Sequence, residues 1–198
     1  MSALNISDYK KIIRERMGDY RFSHSVNVAK EAKKLAKHYG ADENKAEIAG
    51  ILHDITKEMP KEQQLQIIID SGIILDNVQL HAPKLWHGMS GSIVVRDELG
   101  IDDEDILNAI RYHTTGRAGM SLLEQLIFLA DMVEDGRDYP GVKELRKLFY
   151  AEENSLDFTT FEALRETLCH LEDRGGEIYP LTREAYEDAE RKIAGEKK

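Results

Sequence analysis

The segment Ala49-Gly50-Ile51-Leu52-His53-Asp54-Ile55-Thr56-Lys57 is the starting point for interpreting this chain. An apolar run leads directly into an adjacent histidine and aspartate, and a lysine follows three residues later. Adjacent side chains on a helix point in different directions, so two polar groups that end a buried segment need partners from elsewhere. A neutral imidazole and a carboxylate are both common ligands of divalent metal ions. The pair therefore indicates a metal site if the rest of the chain supplies further ligands.

Apolar residues recur at three- and four-residue steps along most of the chain, which is the period of an amphipathic helix. Residues such as Asp42 and Ser121 mark helix starts, and Gly40 marks a helix end. Residues 75–83 have no clear period, and we predict a loop there. No alternating strand pattern of useful length is present. The sequence predicts an all-α single domain over residues 1–198, with a core at about 20–135 and a C-terminal helical extension at about 140–198 packed on that core.

Composition and charge exclude several classes of protein. The 198 residues are 41% hydrophobic and 32% charged, as in an ordinary globular protein. A formal charge of −10 argues against a nucleic-acid partner, but a phosphorylated substrate stays open because bound cations can neutralise phosphate. Cys169 is the single cysteine, which excludes an internal disulfide and a cysteine-rich zinc site. No membrane-spanning segment or secretory signal is evident, and we expect a cytoplasmic protein without a membrane partner.

Potential metal ligands stand near the ends of several successive predicted helices. They are His24, His53, Asp54, His87, His113 and Asp131. Taken singly, a histidine beside an apolar stripe is more often a hydrogen-bonded core residue, and an aspartate at a helix end is more often a surface charge. Helix ends that converge on one point are, however, how helical bundles build internal metal sites. We therefore predict that these six side chains meet, with His24 in the first turn of a helix that begins near Arg21.

The order of these residues, His…His-Asp…Asp, resembles the signature of the HD-domain phosphohydrolase superfamily, and His87 and His113 resemble the additional histidines of its two-metal members. The local motifs are similar to those of the bacterial YqeK-type HD family, from about residue 20 to residue 182. These motifs are Leu52-His53-Asp54-Ile55-Thr56-Lys57, Leu85-Trp86-His87-Gly88, Arg111-Tyr112-His113-Thr114-Thr115-Gly116, Ala130-Asp131-Met132-Val133-Glu134, Gly136-Arg137-Asp138-Tyr139-Pro140-Gly141-Val142 and Ile178-Tyr179-Pro180-Leu181-Thr182. One departure is Asp135, where that family usually has proline, and it removes no predicted ligand.

The resemblance implies a symmetrical diadenosine tetraphosphate hydrolase, which cuts a dinucleoside tetraphosphate into two nucleoside diphosphates with iron. Two divalent ions roughly 3.5–4 Å apart can hold a hydroxide that attacks phosphorus. Asp54 is the candidate bridge between the ions because a carboxylate has two oxygens. His24, His53 and Asp131 would complete one ion, and His87 and His113 the other. A histidine and carboxylate set without thiolate also suits manganese, zinc or nickel, so iron rests on the resemblance.

Six residues are candidates for contact with the substrate, and each also has an ordinary structural explanation. They are Ser23, Lys57, Thr114, Arg137, Tyr179 and Pro180. Lys57 lies one turn after Asp54 if the helix continues, so we assign both to catalysis, with Lys57 binding phosphate or the leaving oxygen. Arg137 can bind phosphate bidentately or form a salt bridge. The two hydroxyl groups can bind phosphate or cap a helix, and Tyr179 with Pro180 can form a platform for base or ribose or pack as core.

Other functions stay open at this point. The chain lacks the downstream Gly-Tyr-Pro motif of cyclic-dinucleotide phosphodiesterases and the length for an alarmone synthetase domain. An HD nucleotidase or phosphodiesterase acting on other nucleotides is one alternative. A non-catalytic nucleotide-sensing protein with a structural metal is a second, and a helical protein with structural histidines is a third. The sequence leaves the oligomeric state open, a homodimer included.

Overall fold

The computed structural model describes residues 4–151, 155–175 and 177–196, and within these ranges the chain forms eleven α-helices and no strand. The helices are α1 Ile6–Arg14, α2 Asp19–Tyr39, α3 Glu43–Leu52, α4 Lys61–Asp70, α5 Asn77–Leu80, α6 Trp86–Leu99, α7 Glu104–Tyr112, α8 Leu122–Val133, α9 Val142–Phe149, α10 Leu156–Asp173 and α11 Pro180–Glu196. The all-α prediction is confirmed. The two ends of the predicted 1–198 domain, residues 1–3 and 197–198, lie outside the described residues.

Local capping chemistry sets most helix boundaries. The Asp42 carboxylate accepts hydrogen bonds from the first backbone N–H groups of α3, and Ser121 forms a capping box with Glu124 at the start of α8. Gly40 ends α2 and Gly100 ends α6, each with a positive φ that favours glycine. These signals lie within a few residues of the boundary, which is why the sequence predicted them.

Helix α8 is the centre of the fold. Leu126, Ile127 and Leu129 on this helix are fully buried, and α8 packs against α2, α3, α7, α9 and α10. Thr160 on α10 donates a buried hydrogen bond to Gln125 on α8, so the C-terminal helices pack on the core as predicted. Among the described residues, every helix is too short or too polar to span a lipid bilayer.

Two glycines allow neighbouring helices to approach at backbone distance. A Cβ atom on Gly50 of α3 would lie 2.8 Å from the Cα atom of Ala29 on α2. A Cβ atom on Gly88 of α6 would lie 2.6 Å from the carbonyl oxygen of Arg111 on α7. Because Gly50 precedes His53 by three residues and Gly88 follows His87 directly, these close approaches bring the ligand-bearing ends of the helices together.

Two predicted details were wrong. Residues 77–80 of the predicted loop form α5, a single turn with a capping box between Asp76 and Gln79 that is too short to show a helical period. Helix α2 begins at Asp19, so His24 lies in its second turn rather than its first. The helix does not continue to Lys57: α3 ends at Leu52, and the chain then forms successive turns, one of which is closed by a hydrogen bond from Lys57 N to Asp54 O.

Candidate metal centre

The structure brings the six predicted ligands together in one buried cluster, which we call the ligand cluster. Its members are His24, His53, Asp54, His87, His113 and Asp131. The first five are at most 3% exposed, and the Asp131 side chain is 24% exposed. His24 Nε2 lies 3.0 Å from Asp131 Oδ1, and His87 Nε2 lies 3.1 Å from His113 Nε2. These pairs form two ends of the cluster, the Asp131 end and the His87 end.

Asp54 lies between the two ends and presents one oxygen to each. Its Oδ2 atom is 3.3 Å from His53 Nε2 and 3.8 Å from His24 Nε2. Its Oδ1 atom is 3.4 Å from His87 Nε2 and 3.6 Å from His113 Nε2. The carboxylate therefore faces both ends at once.

Hydrogen bonds at Nδ1 set the orientation of all four imidazoles. The Nδ1–H groups of His53, His87 and His113 donate to the carbonyl oxygens of Gly50, Lys84 and Ile110, at 2.7, 2.8 and 2.7 Å. Those carbonyl oxygens can only accept, so Nδ1 carries a proton and, in the neutral ring, Nε2 carries the lone pair. His24 Nδ1 donates instead to the buried carboxylate of Glu134, at 3.1 Å. This outer layer of partners is typical of metal-ligating histidines.

The Nε2 lone pairs and carboxylate oxygens face one another in a way that fits a divalent cation. His24 Nε2, His53 Nε2 and Asp54 Oδ1 have no hydrogen-bond partner among the described residues. Buried acceptors without a donor are costly, and a bound cation removes that cost. Two groups of three ligand atoms lie within 4.8 Å of one another: His24, His53 and Asp131, and His53, Asp54 and His113. The residues present therefore fit divalent metal binding.

The electrostatics of the cluster keep its two carboxylates in the ionised state. Burial alone would raise the pKa of Asp54, but the adjacent His53 and His113 outweigh burial and hold it well below its usual range. Burial likewise opposes ionisation of Asp131, yet His24, His53 and Arg137 together lower its pKa. Both carboxylates are thus ionised at neutral pH. Metal ligands must be deprotonated, so this is the state that binding requires.

The pKa values of buried His87 and partly buried Lys57 are both lowered. Burial and the adjacent His113 hold the pKa of His87 well below its usual range, which keeps the imidazole neutral. Burial also lowers the pKa of Lys57, although Asp54 and Asp131 act against that shift. Lys57 Nζ lies 3.9 Å from Asp54 Oδ1 and 3.0 Å from His87 Nε2. Lys57 therefore leans over the ligand cluster as predicted, through a turn rather than a continued helix.

Two further predicted contacts border the ligand cluster. Thr114 Oγ1 lies 3.2 Å from His87 Nε2 and 3.1 Å from His113 Nε2. Arg137 Nη2 lies 2.5 Å from Asp131 Oδ1, and its Nε donates to the Asp131 carbonyl oxygen. The Arg137 guanidinium is half-buried, so the salt bridge weighed from the sequence is present while part of the group faces solvent.

Three predicted substrate contacts are not brought against the ligand atoms. Ser23 is exposed and makes none of the hydrogen bonds found among the described residues, because neighbours on a helix diverge and His24 takes the inward direction. Tyr179 is half-buried and Pro180 is exposed at the start of α11. The next residue, Leu181, lines a small cavity with Thr114, so this segment lies near the His87 end.

Two residues of the site were missed from the sequence. Arg21 Nη1 lies 2.7 Å from Asp54 Oδ2, and Glu134 holds His24. Arg21 precedes His24 by three residues, which places both on one helix face and was an available signal. Glu134 follows Asp131 by three residues, but α8 ends at Val133, so helical spacing alone did not identify it.

Comparisons with known proteins agree with this geometry. The HD-domain family model matches residues 21–136. A Bacillus subtilis protein named bis(5'-nucleosyl)-tetraphosphatase, symmetrical, is 40% identical over 182 residues, covering 90% of this chain and 94% of the relative. A Halalkalibacterium halodurans protein of the same name is 38% identical over 176 residues, covering 89% of this chain and 92% of the relative.

A solved structure extends the similarity to the whole fold. The crystal structure of a predicted HD superfamily hydrolase involved in NAD metabolism from Clostridium acetobutylicum is 36% identical, with a TM-score of 0.90. The match covers 96% of this chain and 100% of that chain. The resemblance noted in the sequence motifs is confirmed, and the chain belongs to the HD-domain family, among its YqeK-type members.

Proposed function

We propose that this protein is a metal-dependent hydrolase that cleaves diadenosine tetraphosphate symmetrically. One water is consumed, the oxygen bridge between the second and third phosphorus atoms breaks, and two molecules of ADP form. The observation that carries the proposal is the convergence of four buried histidines and Asp131 around the buried Asp54 carboxylate. The relatives that carry the name of this activity match about nine-tenths of the chain.

We further propose two divalent ions, with iron favoured by the family resemblance and manganese, zinc or nickel compatible with the ligands. Asp54 would bridge them, since its two oxygens face opposite ends of the ligand cluster. His24, His53 and Asp131 would hold one ion, which agrees with one of the two groups of converging atoms. His87 and His113 would hold the other, with Nε2 atoms that lie on the Oδ1 side of Asp54.

The roles of the protein groups follow from their charge and position. When bound, the metal ions supply an acidified water and positive charge for the attacked phosphate. Asp54 keeps that charge in place, and Arg21 holds the Asp54 carboxylate from the side opposite Lys57. Lys57 is placed to donate to a phosphate oxygen or to the leaving oxygen. Arg137 can bind phosphate through Nη1, because its Nε and Nη2 atoms already donate to Asp131.

The remaining contacts that we propose with the substrate lie at or near the His87 end of the ligand cluster. Thr114 can donate its hydroxyl to phosphate at the His87 end, where it already lies within hydrogen-bond distance of two ligand atoms. Tyr179 and Pro180 are proposed as a platform for one nucleoside, supported by the position of Leu181 beside Thr114. The contact of Ser23 with substrate, the homodimer and the cytoplasmic location stay predictions.

Hydrolysis of diadenosine tetraphosphate with identification of the products tests the proposal. Protein purified without a histidine tag is reconstituted with Fe²⁺ or Mn²⁺, and the wild type is expected to yield two ADP. Asp54→Ala and His53→Ala are expected to lose both metal and activity. His38→Ala is the matched control, because His38 is an exposed histidine that packs against Tyr39 and Tyr150 outside the ligand cluster. Formation of ATP and AMP, or binding without turnover, would reject the proposed reaction.

A further inference from the structure

A cavity of about 640 Å³ opens beside the Asp131 end of the ligand cluster. One wall comes from the end of α8 and the segment after it, with Asp131, Arg137 and Tyr139. The opposite wall is one face of α10. That face presents Glu166, Thr167, His170 and Leu171, whose spacing places them on adjacent turns of one side of the helix. The volume lies within the range of small-molecule sites.

The middle of the α10 wall carries groups that can bind a nucleoside, while Asp173 and Arg174 line the end of this wall. Glu166 and His170 make no hydrogen bond or ion pair within the part of the chain that the structure describes, so both are available to a ligand. A carboxylate accepts from amino or hydroxyl groups and repels phosphate. Leu171 and the ring of Tyr139 offer apolar surface, and the Tyr139 hydroxyl donates to the Met132 carbonyl oxygen, which fixes the ring.

The position of the cavity relative to the ligand cluster indicates how a substrate would enter it. Arg137 stands at the boundary, paired with Asp131 on the cluster side and lining the cavity on the other. A phosphate chain that contacts the metal ions and Arg137 would therefore lead, at the Asp131 end, into the cavity that α10 lines. The small cavity lined by Thr114 and Leu181 borders the opposite, His87 end.

We infer that the α10 cavity binds one of the two nucleosides of the dinucleoside tetraphosphate, with Glu166 as an acceptor for its amino or hydroxyl groups. The inference rests on the proposed function and deepens it. A nucleoside at each end of the ligand cluster places the middle of the tetraphosphate over Asp54. Symmetrical cleavage requires that placement, because the attacked bond is the central one.

The experiment fills the cavity without touching the ligand cluster. Thr167→Phe projects a ring into the cavity from α10, and Cys169→Phe is the matched control because Cys169 is exposed on the same helix and does not line the cavity. Steady-state kinetics with diadenosine tetraphosphate are expected to show a KM raised roughly tenfold for Thr167→Phe, with kcat retained and Cys169→Phe unchanged. The inhibition constant of inorganic pyrophosphate, which has no nucleoside, is expected to stay unchanged in both variants.

Glu166→Ala supplies an independent variant in case the larger ring prevents folding. Loss of a hydrogen bond to a charged acceptor is expected to raise KM roughly tenfold. An unchanged KM in every folded variant, with wild-type turnover intact, would overturn the inference while leaving the proposed function standing. Absence of ADP formation by the wild type would instead reject the proposed function itself.

Discussion

Replacement of Glu134 by glutamine is expected to weaken metal binding at the Asp131 end of the ligand cluster and leave the His87 end intact. Glu134 is 2% exposed, and its Oε1 accepts from His24 Nδ1 at 3.1 Å. Its Oε2 accepts from the backbone N–H of Gly136 at 2.5 Å. An ionised carboxylate serves both donors, and its negative charge makes His24 Nε2 a better ligand.

The magnitude follows from the number of donors that converge on Glu134. Glutamine has the same shape but one oxygen, so its NH₂ group must face either His24 Nδ1–H or Gly136 N–H, donor against donor. Loss of such a partner typically lowers metal affinity ten- to hundredfold. Because glutamine loses the charge and also creates a donor–donor contact, we expect the upper end of that range. A hundredfold change corresponds to about 2.8 kcal/mol.

Calorimetric titration of metal-free protein with Mn²⁺ measures this effect directly, with metal analysis to count bound ions. Glu31→Gln is the matched control, since Glu31 is also a buried glutamate that accepts from two donors. It lies on α2 and accepts from Tyr150 Oη at 2.7 Å and from Lys34 Nζ at 3.1 Å, away from the ligands. In Glu134→Gln, one ion is expected to bind roughly a hundredfold more weakly. In Glu31→Gln, the affinity of both ions is expected to stay unchanged. Equal affinities in the two variants would refute the reasoning.

Three further substitutions test other parts of the structure. Gly88→Ala places a methyl group 2.6 Å from the Arg111 carbonyl oxygen, so the free energy of unfolding is expected to fall by about 1–3 kcal/mol. Thermal denaturation measures this loss, and an unchanged Tm would contradict the close approach. Arg146→Lys removes a guanidinium that donates to three carbonyl oxygens between the end of α8 and Arg137. The rate of amide hydrogen exchange in residues 133–137 and the KM are both expected to rise, and an unaltered exchange rate would show that Arg146 does not stabilise this segment. Lys57→Met is expected to lower kcat roughly a hundredfold with metal content retained, and wild-type kcat would exclude a catalytic role.

Helix boundaries were predictable because their causes are local. The caps at Asp42 and Ser121 and the positive φ at Gly40 each depend on residues within one turn. One exception is α5, whose four residues are too few to reveal a period, and another is the start of α2, where Gly18 offers no side-chain cap. The ligands were predictable for a different reason, since they are recognised by order and local motif. Their convergence depends on helix packing at Gly50 and Gly88, which no local pattern reports.

The cavity beside α10 could not be predicted from the sequence. Glu166 and His170 read as ordinary polar positions on a helix, and His170 matched no motif. Their relevance arises only because α10 packs against α8, which sets them opposite Arg137, a residue far from both along the chain. Contacts of this range are determined by tertiary packing rather than by propensity.

The way each imidazole is oriented explains why Glu134 is required. His53 and His113 directly follow the last residues of α3 and α7, where the final carbonyl oxygens lack a helical partner, and each accepts from the ring three residues later. Their tautomers are therefore set by the backbone and cannot be changed by a side-chain substitution. His24 lies inside α2, where the preceding carbonyl oxygens are already engaged in helical hydrogen bonds, so its Nδ1 needs an acceptor from another element. Glu134 supplies it from the end of α8, the helix that also carries Asp131, and thus couples the orientation of His24 to the position of its partner ligand.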